Sequence, residues 1–187
     1  MSAKIVLPKT MPESINPPGH VFFLAGPVRG GNDWQSECHK IFSRYSLSCT
    51  LVIPVSYPSD HPIRAHEITP NSNPEPVHHI KWERRWMEFA SRKGCLMFWL
   101  PCESKTVPRD PAEGPYAQDT RGELGEWRGH LMFEHHRRVV IGMEEDFPGQ
   151  REITHNFREA VRESPECWPR VRTLQQTVDA AIIRAQQ

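Results

Sequence analysis

The sequence predicts an α/β layered fold, a parallel sheet covered by helices and contained in a single domain. Three observations carry this reading. Four short apolar runs, Val21 to Ala25, Leu51 to Ile53, Cys95 to Leu100 and Val139 to Ile141, lack the alternation of a half-exposed strand. Runs of this kind suit strands buried on both faces, as in a parallel sheet. The segments between them repeat apolar residues at helical spacing, and such alternation of strand and helix implies right-handed crossovers. Finally, ten of the 18 prolines fall in two segments, 54–77 and 101–115, that directly follow the second and third runs.

Taken in chain order, residues 1–19 form an extended arm with Pro8, Pro12, Pro17 and Pro18, expected to be loosely held or to cover a neighbouring subunit. The domain proper spans 20–187. Its first strand ends in the turn Gly26-Pro27-Val28-Arg29-Gly30-Gly31. A helix over roughly Trp34 to Tyr45 follows, with Cys38, Ile41 and Phe42 inward. After the second strand and its proline-rich segment, Val77 to Ala90 reads as a helix. Trp82, Trp86, Phe89 and Ala90 recur there at i, i+4, i+7 and i+8. The third strand leads through 101–115 to a helix over Arg121 to His135, whose inner face carries Leu124, Trp127 and Leu131. Beyond the fourth strand, a weak fifth is expected near Val171. The last helix carries Leu174, Val178, Ala181 and Ile182, and Thr173 with Gln176 forms its capping box.

Lys plus Arg number 23 and Asp plus Glu number 23. A zero net charge argues against a polymeric nucleic acid as partner held by bulk charge. No window approaches the ~18 apolar residues of a membrane span, and the first residues show no signal-peptide core. Five cysteines, an odd count without short repeated spacing, read as reduced thiols in a cytoplasmic protein. No metal or cofactor is expected. His66-Glu67-Ile68-Thr69-Pro70 lacks the second histidine of a zinc-protease helix. The pairs His78-His79 and His135-His136 point to different faces, because adjacent helical side chains diverge by about 100°.

In a sheet of this kind ligands bind outside the carboxyl ends of the strands. The glycine-rich turn 26–31 lies there. Its backbone N–H groups can approach an oxygen-rich ligand and Arg29 can add a charge-assisted bond, although an ordinary strand-to-helix turn would use the same glycines. It matches neither GxGxxG nor a P-loop. Asp119-Thr120-Arg121-Gly122-Glu123-Leu124-Gly125-Glu126-Trp127 is the second site. Thr120 and Glu123 have capping-box spacing. Glu123 therefore either caps the helix or, kept ionised by the helix dipole, serves as a nucleophile. Gly122 and Gly125 leave room beside it. Glu83, in Trp82-Glu83-Arg84-Arg85-Trp86, adjoins an apolar stripe and belongs either to a surface ion pair or to the edge of the cleft.

Together, Phe22-Phe23-Leu24-Ala25-Gly26-Pro27-Val28-Arg29-Gly30, Trp82-Glu83, Phe98-Trp99-Leu100-Pro101 and Thr120-Arg121-Gly122-Glu123-Leu124-Gly125-Glu126-Trp127 resemble the nucleoside 2-deoxyribosyltransferase-like family, over about residues 21–143. Nucleotide N-glycoside hydrolases of the same superfamily share the Gly-x-x-Arg-Gly turn and Glu-Leu-Gly. The resemblance implies a flavodoxin-like, doubly wound five-stranded parallel sheet. It implies cleavage of the bond between a base and C1′ of a deoxyribose, so that the partner is a small-molecule nucleoside or nucleotide, and assembly as a homo-oligomer. It makes Glu123 the nucleophile, with Asp119 or Glu83 assisting protonation of the base. It assigns Gly26, Pro27 and Gly30 to the sugar or 5′ side; Arg29, Thr120 and Arg121 are then expected to bind sugar or phosphate oxygens, with Gly122 beside the substrate. One departure stands out: relatives commonly read Ala-Asp just before the third strand, where this chain has Ala90-Ser91-Arg92-Lys93-Gly94. The alternative is a binding protein that kept the cleft and lost turnover.

Overall fold

The computed structural model describes residues 3–69, 78–162 and 164–187. Val77, Pro70, Pro74 and Pro76 lie outside the described residues. Six strands form one parallel sheet: β1 (Lys4–Val6), β2 (His20–Ala25), β3 (Cys49–Val52), β4 (Gly94–Leu100), β5 (Val139–Met143) and β6 (Arg170–Val171). Their order across the sheet is β1-β3-β2-β4-β5-β6. Five helices complete the fold: α1 (Trp34–Phe42), α2 (His79–Lys93), α3 (Gln118–Phe133), α4 (Gln150–Ala160) and α5 (Leu174–Ala185). This is the predicted flavodoxin-like α/β architecture with one strand more than expected. None of these helices is long and apolar enough to cross a membrane.

Unalternating runs become central strands because both of their faces are covered. On β2, Val21, Phe23 and Ala25 join one apolar core and Phe22 and Leu24 the other. On β4, Leu96, Phe98 and Leu100 face the first core while Cys95, Met97 and Trp99 face the second. Trp82, Trp86, Leu124 and Trp127 of α2 and α3 close the first face. Cys38, Ile41, Val178 and Ala181 of α1 and α5 close the second. All five cysteines are free thiols. The capping box of α5 forms as predicted, with the Gln176 N–H donating to the Thr173 hydroxyl at 3.2 Å. Helix α4 is not expected from the sequence, since Phe157 is the one buried side chain it offers.

The arm is bound into the fold, against the expectation of a loose segment. Lys4–Val6 pairs in parallel with β3, and the Ile68 N–H donates to the Ile5 carbonyl at 2.8 Å on the other side. Ala3, Ile5, Val6, Leu7 and Ile15 are buried. Further on, the indole N–H groups of Trp82 and Trp86 both donate to the Thr10 carbonyl, at 2.8 and 2.7 Å. A buried indole N–H without an acceptor would cost about 1–3 kcal/mol, so Thr10 holds the arm against α2 and fixes that helix in turn. Burial of apolar side chains, not prolines, decides how the arm behaves.

At the opposite end of the same helix, Arg137 is 1% exposed. It donates to Glu88 (2.8 Å) and Ser91 (3.1 Å) of α2 and to Glu134 (2.9 Å) just after α3. The two helices are thereby tied at their carboxyl ends, while their opposite halves face the carboxyl edge of the sheet.

Deleting residues 1–15 should remove the edge strand and strip the Trp82–Trp86 face. Loss of buried Ile5, Val6, Leu7 and Ile15, at about 1.5–3 kcal/mol each, is expected to cost at least about 6 kcal/mol. A urea midpoint equal to that of the full chain would show that the arm contributes nothing.

Candidate active site

The topology reverses between β2, whose next strand β3 lies to one side, and β4 on the other side. A crevice opens outside the carboxyl ends of strands at such a point. Here it is a cleft of about 590 Å³, large enough for a small ligand. Phe23, Ala25 and Met87 give it an apolar floor, and Pro27, Pro54 and Pro115 lie on its wall.

Gly26 is required where β2 turns into this cleft. Its φ is +152°, and a Cβ would stand 2.2 Å from the Trp99 carbonyl oxygen and 2.9 Å from the Trp34 ring. The Trp34 indole N–H in turn donates to the Pro27 carbonyl at 2.9 Å, which fixes the turn. Gly26, Pro27 and Arg29 line the cleft as expected. Gly30 does not. Its carbonyl accepts from the Ser104 N–H at 2.7 Å, so this glycine binds the turn to the 101–115 segment.

The start of α3 departs from the expected capping box. Tyr116 is buried, with its hydroxyl donating to the Pro101 carbonyl at 2.8 Å. Ala117 then takes a left-handed conformation (φ 57°), and the helix begins at Gln118 without a side-chain cap. Thr120 is consequently inside the first turn, 4% exposed, and Glu123 lies in the second. Dipole stabilisation falls off within the first turn, so it reaches Asp119 rather than Glu123. The expectation that the helix end keeps Glu123 ionised is overturned. Burial, then the nearby carboxylates of Glu83, Asp119 and Glu126, push its carboxyl up to about 8.

Glu83, Asp119, Thr120, Gly122 and Glu123 all line the cleft. Arg121 leaves it. Its guanidinium donates to the Pro148 carbonyl and lies 5.3 Å above the Phe147 ring, outside the cleft lining. Residues three or four apart share a helix face, and Arg121 is two removed from both Asp119 and Glu123.

Every acid of the cleft except Glu123 is paired with a basic side chain, two of them sharing Arg29. Arg29 holds Asp119 at 2.9 Å and Glu113 at 3.6 Å. Arg84 holds Glu126 at 3.2 Å, and His79 holds Glu83 at 3.1 Å. Glu123 has no hydrogen-bond or ion-pair partner among the described residues. Burial raises Glu83 above the ordinary carboxylate range; His79 pulls it back and Asp119 raises it further. His79, Arg84, Arg109 and Glu113 are lining residues that the sequence did not single out. For His79 a signal existed, because it precedes Glu83 by one helical turn.

The segment Ala90–Gly94 ends α2 and begins β4. Six steps of about 3.3 Å along β4 place it roughly 20 Å from the cleft edge. A side chain there does not reach the cleft. Among the described residues, no group of three or more His, Cys, Asp or Glu side chains is disposed to hold a metal ion. Comparison with protein-family models and with curated proteins finds no match.

The raised Glu123 has a consequence for stability. In the unfolded chain it ionises in the usual range near 4.5, and in the fold at about 8. Between these values the folded protein holds a proton that the unfolded chain releases, so stability falls as pH rises through that window. Glu123→Gln removes the effect. Its stability relative to wild type is expected to grow between pH 4.5 and 8 by on the order of a few kcal/mol and then level off. Parallel melting curves for the two proteins across that range would refute the burial of a lone carboxyl.

Proposed function

We propose that the protein cleaves the N-glycosidic bond of a 2′-deoxynucleoside or deoxynucleotide through a covalent glycosyl–Glu123 intermediate, passing the sugar to another base or to water. The observation that carries this reading is the unpartnered, half-buried carboxyl of Glu123 beside Glu83 in a cleft of nucleoside size. The motif resemblance agrees with it.

The chemistry parallels that of a retaining glycosidase. Ionised Glu123 attacks C1′ as the bond to the base breaks through an oxocarbenium-like state. An acid protonates the departing base. Of the two acids considered, Asp119 has a side chain 80% exposed and bonded to Arg29, whereas the Glu83 side chain is 19% exposed. Burial favours Glu83, because desolvation stabilises the protonated carboxyl. Gly26, Pro27, Arg29, Thr120 and Gly122 bound the space left for the sugar.

The test is release of free base from a panel of deoxynucleosides and deoxynucleotides, with and without an acceptor base. Wild type is expected to release base, and Glu123→Ala to stay folded and lose release by at least ~10³-fold. Release by Glu123→Ala at the wild-type rate would defeat the proposal. A ligand-dependent rise in Tm without release would instead indicate a binding protein. Because the nucleophile must be ionised, the acid limb of kcat/KM should climb with pH toward about 8, with the alkaline limb set by the acid that protonates the base. A flat profile from pH 5 to 8 would exclude Glu123 as the attacking group.

A further inference from the structure

One titratable side chain of the cleft has no role in the reaction so far. His79 opens α2, and its Nε2 stands 3.1 Å from Glu83 Oε1, one helical turn on. Its ring stacks on the Trp82 indole, with centroids 6.0 Å apart and planes 8° from parallel. Trp82 is itself fixed by its bond to the Thr10 carbonyl. The imidazole is therefore oriented by a rigid surface and lies against the acid. It is also half exposed, at 52%, and so open to solvent protons.

We propose that His79 is a positioning residue that shares a proton with Glu83 and restores it after each transfer to the leaving base. The proposal rests on the glycosyl-transfer reading above.

The charges around the pair favour this arrangement. On α2 itself, the free N–H groups of the first turn oppose an imidazolium, and Arg84 is engaged by Glu126. From α3, the acidic side chains of Asp119 and Glu126 line the same cleft. Arg29, in the turn after β2, is held by Asp119 and Glu113. Arg109 is paired with Glu103 at 3.5 Å. The arginines of the cleft are thus occupied elsewhere, and His79 is left as the cation for Glu83. Imidazole is also the side chain that ordinarily exchanges a proton near neutral pH.

The step balances as follows. A Glu123 oxygen forms a bond to C1′, and the electron pair of the C1′–N bond leaves with the base. The base nitrogen takes through Glu83 the one proton that the pair holds, leaving the Glu83 carboxylate beside a neutral His79. Water or an acceptor base then attacks C1′, freeing Glu123, and the proton it releases returns to the pair.

The experiment compares wild type, His79→Gln and Glu123→Ala on two substrates: a deoxynucleoside, and p-nitrophenyl 2-deoxyriboside, whose phenolate leaves without protonation. Glutamine keeps a hydrogen bond to Glu83 and cannot titrate. His79→Gln is expected to lower kcat for base release by about 10²-fold, with KM little changed and nitrophenolate release retained. The alkaline limb of its kcat profile should move to lower pH, since a carboxyl alone must hold the proton. Glu123→Ala should lose both substrates. Equal loss of both substrates in His79→Gln, or a pH profile coincident with wild type, overturns the role of His79 while leaving Glu123 in place. Release of neither base nor nitrophenolate by wild type removes the glycosyl-transfer reading and this proposal with it.

Discussion

Among the described residues Glu123 stands in its cleft without a counter-ion, and the carboxyl edge of the sheet is arranged around that fact. Its neighbours are acids, each already bound to an Arg or a His. A carboxyl in such surroundings is costly to ionise, because burial and like charge both oppose the negative form. A folded protein keeps such a group only where the scaffold over-determines it. Here the scaffold is two helices clamped at their far ends by buried Arg137 and held along α2 by two indoles on one carbonyl. The cost of the site is met by packing elsewhere in the chain.

The same arrangement separates two carboxyl groups by environment. Glu83 has an imidazole beside it and Glu123 has none. Burial and like charge hold the proton on Glu123 up to about 8, whereas His79 opposes the rise that burial causes in Glu83. The proline-rich segments now have a shape to explain them. Pro27, Pro54 and Pro115 lie on the cleft wall, and the 101–115 segment brings Arg109 and Glu113 to its rim. Proline lowers the entropy lost on ordering a loop, so a rim with little regular structure can still hold a fixed outline.

Most of the fold was legible because burial on both faces leaves an unbroken apolar run. β2 and β4 show it, each residue in turn entering one core or the other. β1 escaped notice because its three residues sit among prolines in what reads as an arm, and only pairing with β3 gives them a role. α4 escaped because a helix that buries one side chain carries almost no periodic signal. At the site, the segments were legible and the atoms less so. Tyr116 anchors the chain before α3, starts the helix early and carries Thr120 out of its capping position. That shift frees Glu123 for the cleft and swings Arg121 onto Phe147. No local pattern around residue 120 encodes a hydrogen bond to Pro101. Gly30 likewise answers to a contact with Ser104, 74 positions along the chain.

The central claim is that Glu123 forms a bond to the sugar. Protein mixed with a deoxynucleoside in the absence of acceptor base, quenched in acid and digested, can be mapped by mass spectrometry. A single deoxyribosyl group is expected on the peptide containing Glu123, and it should disappear when acceptor base is added before the quench. Base release accompanied by an adduct on any other residue, or by none at every quench time, would contradict the account.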